Sequence, residues 1–472
     1  MTQEIPLEEL DSSSSSSSYD TETGNSSEYS VSSSSTINHS TDSESNSSPT
    51  TTFIESATGK ESGKAKEEKP QTASSAVTLT NLVKAVIGAG ILSVPNSFSS
   101  IGLIPSLVLI VCIAILSYIA SIMDVKLHQK VESTGLDDLI GKLMGRWGSI
   151  TYSIVVIIFL EAAMIAYLII NGDNLKSWFA FGGIDISPFK YRILTILIYS
   201  IIPIALMIPK NFKFIGIFSS FSLALMVFYI CATIYKLVDA VQNKGGISKS
   251  LVYAKIDTEI FSAIGVFAMA FALPTVVIPL LQHYTEEYKK RRNIVAGSMF
   301  CCALITILPS ALLYLVFGSE SDGNILNSFP NNDIIFTIVR AGFFFSVTIS
   351  FPVIGKSVMC NWSQLVFGIN QANDLKGWRF WLIFWVTAGT PLIIAMFLPQ
   401  VKPAISIGGA LGGCLACYTF PSICWIIASE KKISDPVNIL CVIFAIVGII
   451  FAVIATYQSI VDAIDAFKSL EI

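Results

Sequence analysis

Gly88, Gly90 and Pro95 interrupt an apolar run, Asn81–Pro95, that is hydrophobic enough to enter a bilayer. Pro95 brings no backbone donor and frees the carbonyl of Ile91, while glycine lowers the cost of unwinding. Inside a membrane such open peptide groups are tolerated only where protein or a watery cavity receives them. The chemistry expected here is binding by backbone. Amides at the start of a half-helix attract an anion, and freed carbonyls attract a cation.

A second interruption falls in Phe261–Pro279, where Pro274 and Pro279 free the carbonyls of Ala270 and Thr275. Prolines also occur in other apolar runs, at Pro203, Pro309, Pro352, Pro391 and Pro421, so proline alone is weak evidence. The informative point is position: the disrupted runs are the first and the sixth. Equivalent breaks five helices apart predict two five-helix halves of opposite topology, with a binding site between them. A free amino acid presents both charges on one carbon and suits such a site without a charged pocket. On this reading the backbone of Gly88, Ala89, Gly90 and Ile91 holds the carboxylate, and Leu92 and Ser93 line the same turn. Phe271, Ala272 and Thr275 face the ammonium and side chain, with Tyr167 assisting from the third run.

Glu161 lies near the middle of the third run, where a charged carboxylate costs about 2.5–3.5 kcal/mol. It could therefore carry a proton, or sit neutral and hydrogen-bonded in the bundle. Lys84 lies roughly 10 Å into its run at 1.5 Å per residue, close enough to snorkel outward. It could instead stand in for a coupling cation. Ser346, Thr348 and Ser350 offer oxygens for sodium, but Thr348 points away from the other two on a helix. Arg340, shallow in the same run, reads as an interfacial anchor.

No enzyme is expected. His39 is in the polar tail, His128 and His283 are in loops, and no nucleophile–base pair or metal spacing appears inside the apolar runs. Cys414-Leu-Ala-Cys417 has neither a second pair nor a nearby histidine, and reads as small residues at a helix contact. All cysteines but Cys360, assigned to a loop, fall in apolar runs, so no cofactor or metal is expected beyond a coupling ion.

The chain that must position these residues is 52% hydrophobic and 14% charged over 472 residues. A soluble domain is nearer a quarter charged, so an all-α polytopic membrane protein is the class implied. No basic stripe supports nucleic-acid binding. Residues 1–76 form a Ser-, Thr- and acid-rich tail, expected to be disordered, cytosolic and without a secretory signal. From 77 to 472, about eleven runs have spanning length: 77–98, 102–123, 149–171, 191–209, 214–237, 259–282, 293–317, 333–355, 379–399, 402–428 and 437–460. Fifteen Lys and Arg lie on the tail's side against nine on the other, which predicts a cytosolic N-terminus and a luminal C-terminus. The sequons at Asn25, Asn38, Asn46 and Asn361 then stay unglycosylated.

The motifs resemble the amino acid/auxin permease family, and within it the fungal vacuolar amino acid transporters. Asn81-Leu-Val-Lys-Ala-Val-Ile-Gly-Ala-Gly-Ile-Leu92 is similar to the first-helix signature, and Ala166-Tyr-Leu-Ile-Ile-Asn-Gly-Asp173 to the end of the third helix. Ala270-Phe271 with Val277 and Pro279, Tyr314-Leu-Val-Phe-Gly318, the loop Gly323–Asp333 and Phe351-Pro352 continue the likeness. Many relatives carry histidine in the sixth-helix break where this chain has Pro274-Thr275, so proton coupling through that histidine does not transfer. The resemblance implies a secondary transporter of neutral amino acids at a vacuolar or lysosomal membrane, working by alternating access toward the cytosol with protons as the coupling ion. Two other classes stay open: an amino acid sensor signalling through the tail, and a plasma-membrane permease coupled to sodium or protons. Oligomeric state is not readable.

Overall fold

The computed structural model describes residues 73–468 apart from 185, 187, 210–214, 244, 245 and 370, with side chains described except at Ala89 and 215–220. The expected tail up to residue 72, with Asn25, Asn38 and Asn46, lies outside the described residues.

The described residues form helices and turns without strands. The first run is split into α1 (Ser75–Val86) and α2 (Val94–Ile101), set at 60° to one another. Then come α3 (Leu103–Val131), α4 (Leu136–Phe181), α5 (Phe189–Ala205) and α6 (Ile215–Asn243). The sixth run is α7 (Glu259–Ala270) plus α8 (Pro274–Leu281), followed by α9 (Tyr288–Phe317), α10 (Ile334–Phe367) and α11 (Trp378–Phe397). The chain ends with α12 (Val401–Ala428) and α13 (Pro436–Lys468).

Among the described residues nine helices are long and apolar enough to cross a membrane, and the bent α1–α2 pair makes ten. The 17-residue α5 occupies the place of the expected fourth span. The helix begins at Ser75, inside the stretch assigned to the tail. Several spans also run on past the apolar stretch. The eighth reaches Phe367, so Cys360 and Asn361 are buried helical residues rather than loop residues. His128 likewise lies in the last turn of α3.

The face of the bundle that carries Ser75 is called the near face, and the opposite one the far face. Outward-facing Val108, Ile115, Ile201, Val453 and Tyr457 are exposed, as lipid-facing positions must be. Inside, α12 contains a π-helical stretch, Gly408–Thr419, whose glycines let it wedge between α4 and α7. A methyl group on Gly409 would collide with the Gly265 carbonyl, and one on Gly413 would stand 3.2 Å from Ala268. Small residues at such contacts let membrane helices approach through their backbones. The result is a central group of α1, α2, α7 and α8, with α9 packed on α1 and α2, α3 on α2, α7 and α8, and α12 on α7.

Candidate functional site

Both interruptions are real breaks in the helical ladder. After Val86 the chain extends at Gly88 (φ −131°, ψ −155°), then makes one 3-10 turn over Ala89–Leu92 before α2 begins. In that turn the Ile91 amide reaches the Gly88 carbonyl at 3.4 Å and the Ser93 amide reaches Gly90 at 3.1 Å. In the sixth run α7 stops at Ala270, and Phe271 leaves the helix at φ −125°, ψ 28°. Pro274 then starts α8, and the Thr275 hydroxyl donates to the Ala272 carbonyl at 2.7 Å. This second break bends little enough that Glu259–Leu281 runs as one span.

The two breaks touch. A Cβ at Gly90 would lie 3.5 Å from the Ala270 Cα and 3.6 Å from its nitrogen. A Cβ at Gly88 would lie 3.3 Å from the Tyr167 hydroxyl. The structure thus brings Gly88, Gly90, Ala270 and Tyr167 to one place. Ile91, Leu92, Phe271 and Ala272 are buried beside them, and Ala89 contributes a backbone position to the same turn. Ser93 is buried but turned away, its hydroxyl donating to the Gly323 carbonyl at 2.7 Å.

The coupling candidates lie elsewhere. Lys84 falls in the last turn of α1, where carbonyls without partners favour a positive charge, and makes no ion pair among the described residues. Glu161 is half-buried and accepts a 3.2 Å hydrogen bond from the Trp362 indole. Six residues from Tyr167, it lies about 9 Å along α4 from that residue. The three hydroxyls considered for sodium are separately engaged: Ser346 with Ser222 at 2.9 Å, Thr348 with Tyr199 at 2.9 Å, and Ser350 with the Ser346 carbonyl at 2.8 Å.

The site is closed on the far side. The Asn96 amide donates to the Ser321 carbonyl at 2.5 Å, beside the Ser93–Gly323 bond. The loop that supplies these carbonyls is pinned from below by Asp173, whose Oδ2 accepts from Asn324 and Asn327 at 3.2 Å each while Oδ1 faces Arg192 at 3.3 Å. Arg340 is 1% exposed and donates to the carbonyls of Leu326 and Phe329 at 2.8 Å. It is a buried loop pin, not the interfacial anchor that its position in the sequence suggested. Asp322 in this loop is exposed as a residue, but partial loss of water around its carboxyl and the Asp173 charge push that carboxyl above the usual carboxylate range. On the near side Lys84, Ile87, Gly88, Thr275 and Val276 stay half-exposed. The breaks are therefore sealed from one face and partly open to the other.

Sequence reasoning weighed Thr348 for sodium but gave no role to the Asn171, Asn174 and Tyr199 side chains that cluster with it on the same side of the bundle. Asn171 donates to the Tyr199 hydroxyl at 2.5 Å and to Thr348 at 3.2 Å, and accepts from Asn174 at 3.2 Å. The intramembrane amides were the available signal, since such groups are costly to bury without partners.

The profile of the family described as transmembrane amino acid transporter protein matches residues 71–461, nearly the whole described region. The chain belongs to this family. The amino acid transporter AVT6D of Arabidopsis thaliana is 24% identical over 349 residues, 68% of this chain and 76% of that one. Sodium-coupled neutral amino acid transporter 7 of Danio rerio is 25% identical over 382 residues, 75% and 78% of the two chains. Among solved structures, MhsT in complex with L-phenylalanine superposes with a TM-score of 0.56 at 11% identity, covering 83% of this chain and 100% of that chain. The Eremococcus coleocola manganese transporter gives 0.52 at 14% identity, covering 85% and 95%. Those two likenesses establish the fold of the amino acid transporter: the inverted repeat with its first and sixth helices broken.

Proposed function

We propose that this family member is a proton-coupled carrier of neutral amino acids at an acidic organelle membrane of vacuolar or lysosomal type, delivering substrate to the cytosol by alternating access. The observation that carries the reading is the contact of the two breaks, Gly90 against Ala270, with the Tyr167 hydroxyl beside Gly88. There a zwitterion finds backbone dipoles of both signs within one site. The relatives' names support amino acids as the class, and the zebrafish relative's name supports neutral ones.

Protons are favoured over sodium because Ser346, Thr348 and Ser350 bond to separate partners, and because Lys84 already stands at the carbonyl end of α1, the place a coupling cation would take. Among the described residues thirteen Lys and Arg lie toward the near face against eight toward the far face, which supports a cytosolic near face and a luminal far face. The half-exposed near-side approach to the breaks then suits delivery to the cytosol.

The test is flux in proteoliposomes of defined interior and exterior pH. Each pH unit supplies about 1.4 kcal/mol per proton, a tenfold concentration ratio at one-to-one coupling. Amino acid accumulation that follows the pH gradient without sodium is expected. Accumulation that follows a sodium gradient and ignores pH, as the name of the zebrafish relative would suggest, would replace the proton with sodium. Vacuoles isolated with and without the protein should differ in their neutral amino acid content.

A further inference from the structure

Asp124 has no role in anything described so far, yet it is the most isolated acidic group in the bundle. It lies on α3 about 10 Å from the near-face end at 1.5 Å per residue. It is 0% exposed, and neither carboxylate oxygen has a hydrogen-bond partner among the described residues. A buried, unpaired carboxylate is strongly disfavoured as an anion.

The titratable groups facing it are few. Tyr152 on α4 feels its charge, and that tyrosine also feels Asp137. Cys417 and Cys424 on α12 do so as well. The half-helix α8 packs against α3 and brings no titratable side chain. Nearby cations are engaged elsewhere: Lys126 lies over the rings of Tyr288 and Trp425 at 5.3 and 5.6 Å, and Arg291 on α9 donates to the carbonyls of Thr285 and Leu281. His128, one turn along α3, meets the Ser133 hydroxyl at 3.3 Å.

One contact ties this site to the substrate path. The π-helical stretch of α12 that carries Cys417 packs against α8. The segment beside Asp124 thus abuts the half-helix forming the near side of the second break.

We propose that Asp124 is the proton-binding site of the transport cycle. It is protonated while α3, α8 and α12 are packed together, and it releases its proton to near-face water when α8 swings away. This inference rests on the proton-coupled reading above. Aspartic acid becomes aspartate plus a proton taken up by water, and no other reactant is needed.

The experiment compares wild-type protein with Asp124→Asn in proteoliposomes, using preparations that still exchange labelled for unlabelled amino acid. In the wild type one pH unit is expected to raise accumulation about tenfold. In Asp124→Asn the ratio of accumulation with and without the gradient should fall to about one. A variant that accumulates like the wild type overturns the assignment and leaves the proton-coupled reading standing. A wild type that ignores the pH gradient overturns that reading itself, and this assignment with it. Should the variant fail to fold, dicyclohexylcarbodiimide applied to the full-length wild type at neutral pH provides a second measurement, because it modifies protonated carboxyls in apolar surroundings. A mass-spectrometric adduct on Asp124 with parallel loss of pH-driven uptake is expected. Modification that spares Asp124 overturns the proposal.

Discussion

The backbone of Gly90 lies against the backbone of Ala270, so that a methyl group at position 90 would stand 3.5 Å from the Ala270 Cα. Breaks about 180 residues apart in the chain therefore meet as bare peptide, with no side chain between them. That contact confines any ligand held by both breaks to the few peptide groups flanking it.

Space at Gly88 is tighter than at Gly90, because its added Cβ would meet the Tyr167 hydroxyl at 3.3 Å. Gly88→Ala should force that hydroxyl aside, at a cost of about 1–3 kcal/mol for overpacking. Uptake should fall about 5- to 150-fold, the equivalent of that energy. Tyr167→Phe in the same background removes the colliding atom and should restore part of the flux. A double-mutant cycle on initial uptake rates checks this, and strict additivity of the two changes would refute the contact.

Asp322 makes the far-face loop pH-sensitive. Partial desolvation and the Asp173 charge raise its carboxyl above the ordinary value although the residue is exposed, so the closed loop binds a proton more readily than the open one. By linkage, the closed state then gains stability as pH falls through the window just above the ordinary carboxylate range, and loses it as pH rises. Hydrogen exchange over residues 318–333, corrected for intrinsic rates, should slow on acidification. Asp322→Asn should remove that dependence.

Arg340 offers a stability test. Its guanidinium reaches the carbonyls of Leu326 and Phe329 at 2.8 Å from a position that is 1% exposed. Lysine keeps the charge but cannot reproduce the fork, and a hydrogen bond from a charged group is worth about 1.5–3 kcal/mol. Arg340→Lys should lower Tm in detergent by about 2–4 °C. An unchanged Tm would show that the loop is held by other contacts.

These cases show which part of the molecule a sequence discloses. The breaks at Gly88–Pro95 and Phe271–Pro274 were legible because proline and glycine act on their own local backbone. Which residues meet across the bundle was not. The second run was bounded at 123, which left Asp124 unread, yet α3 continues to Val131 and carries it inside. Arg340 looked like an anchor because its depth was readable and its rotation about the helix was not. Cys360 was assigned to a loop because hydropathy fades before the helix ends. Tyr167 was expected to assist the residues beside the second break, whereas its hydroxyl stands beside Gly88 in the first, a contact that spacing along the third helix does not disclose.

Asp173 provides the sharpest test of how the far side is closed. Its carboxylate accepts from Asn324 and Asn327 at 3.2 Å and faces Arg192 at 3.3 Å, so one group joins α4, α5 and the loop. In Asp173→Asn an amide nitrogen replaces one acceptor, and it must face a donor whichever way the side chain is flipped. Leaving a largely buried donor without its acceptor costs about 1–3 kcal/mol. The loop should then open more often while the helices stay folded, because neither break touches Asp173 directly. A cysteine introduced by Leu92→Cys reports the opening, since Leu92 is 0% exposed beneath that loop. Its labelling by a membrane-impermeant thiol reagent added at the far face should speed up about 5- to 150-fold when Asp173→Asn is combined with it, the range that energy allows. Equal labelling rates with and without the change would mean that Arg340 and the Ser93–Gly323 bond hold the far side shut on their own.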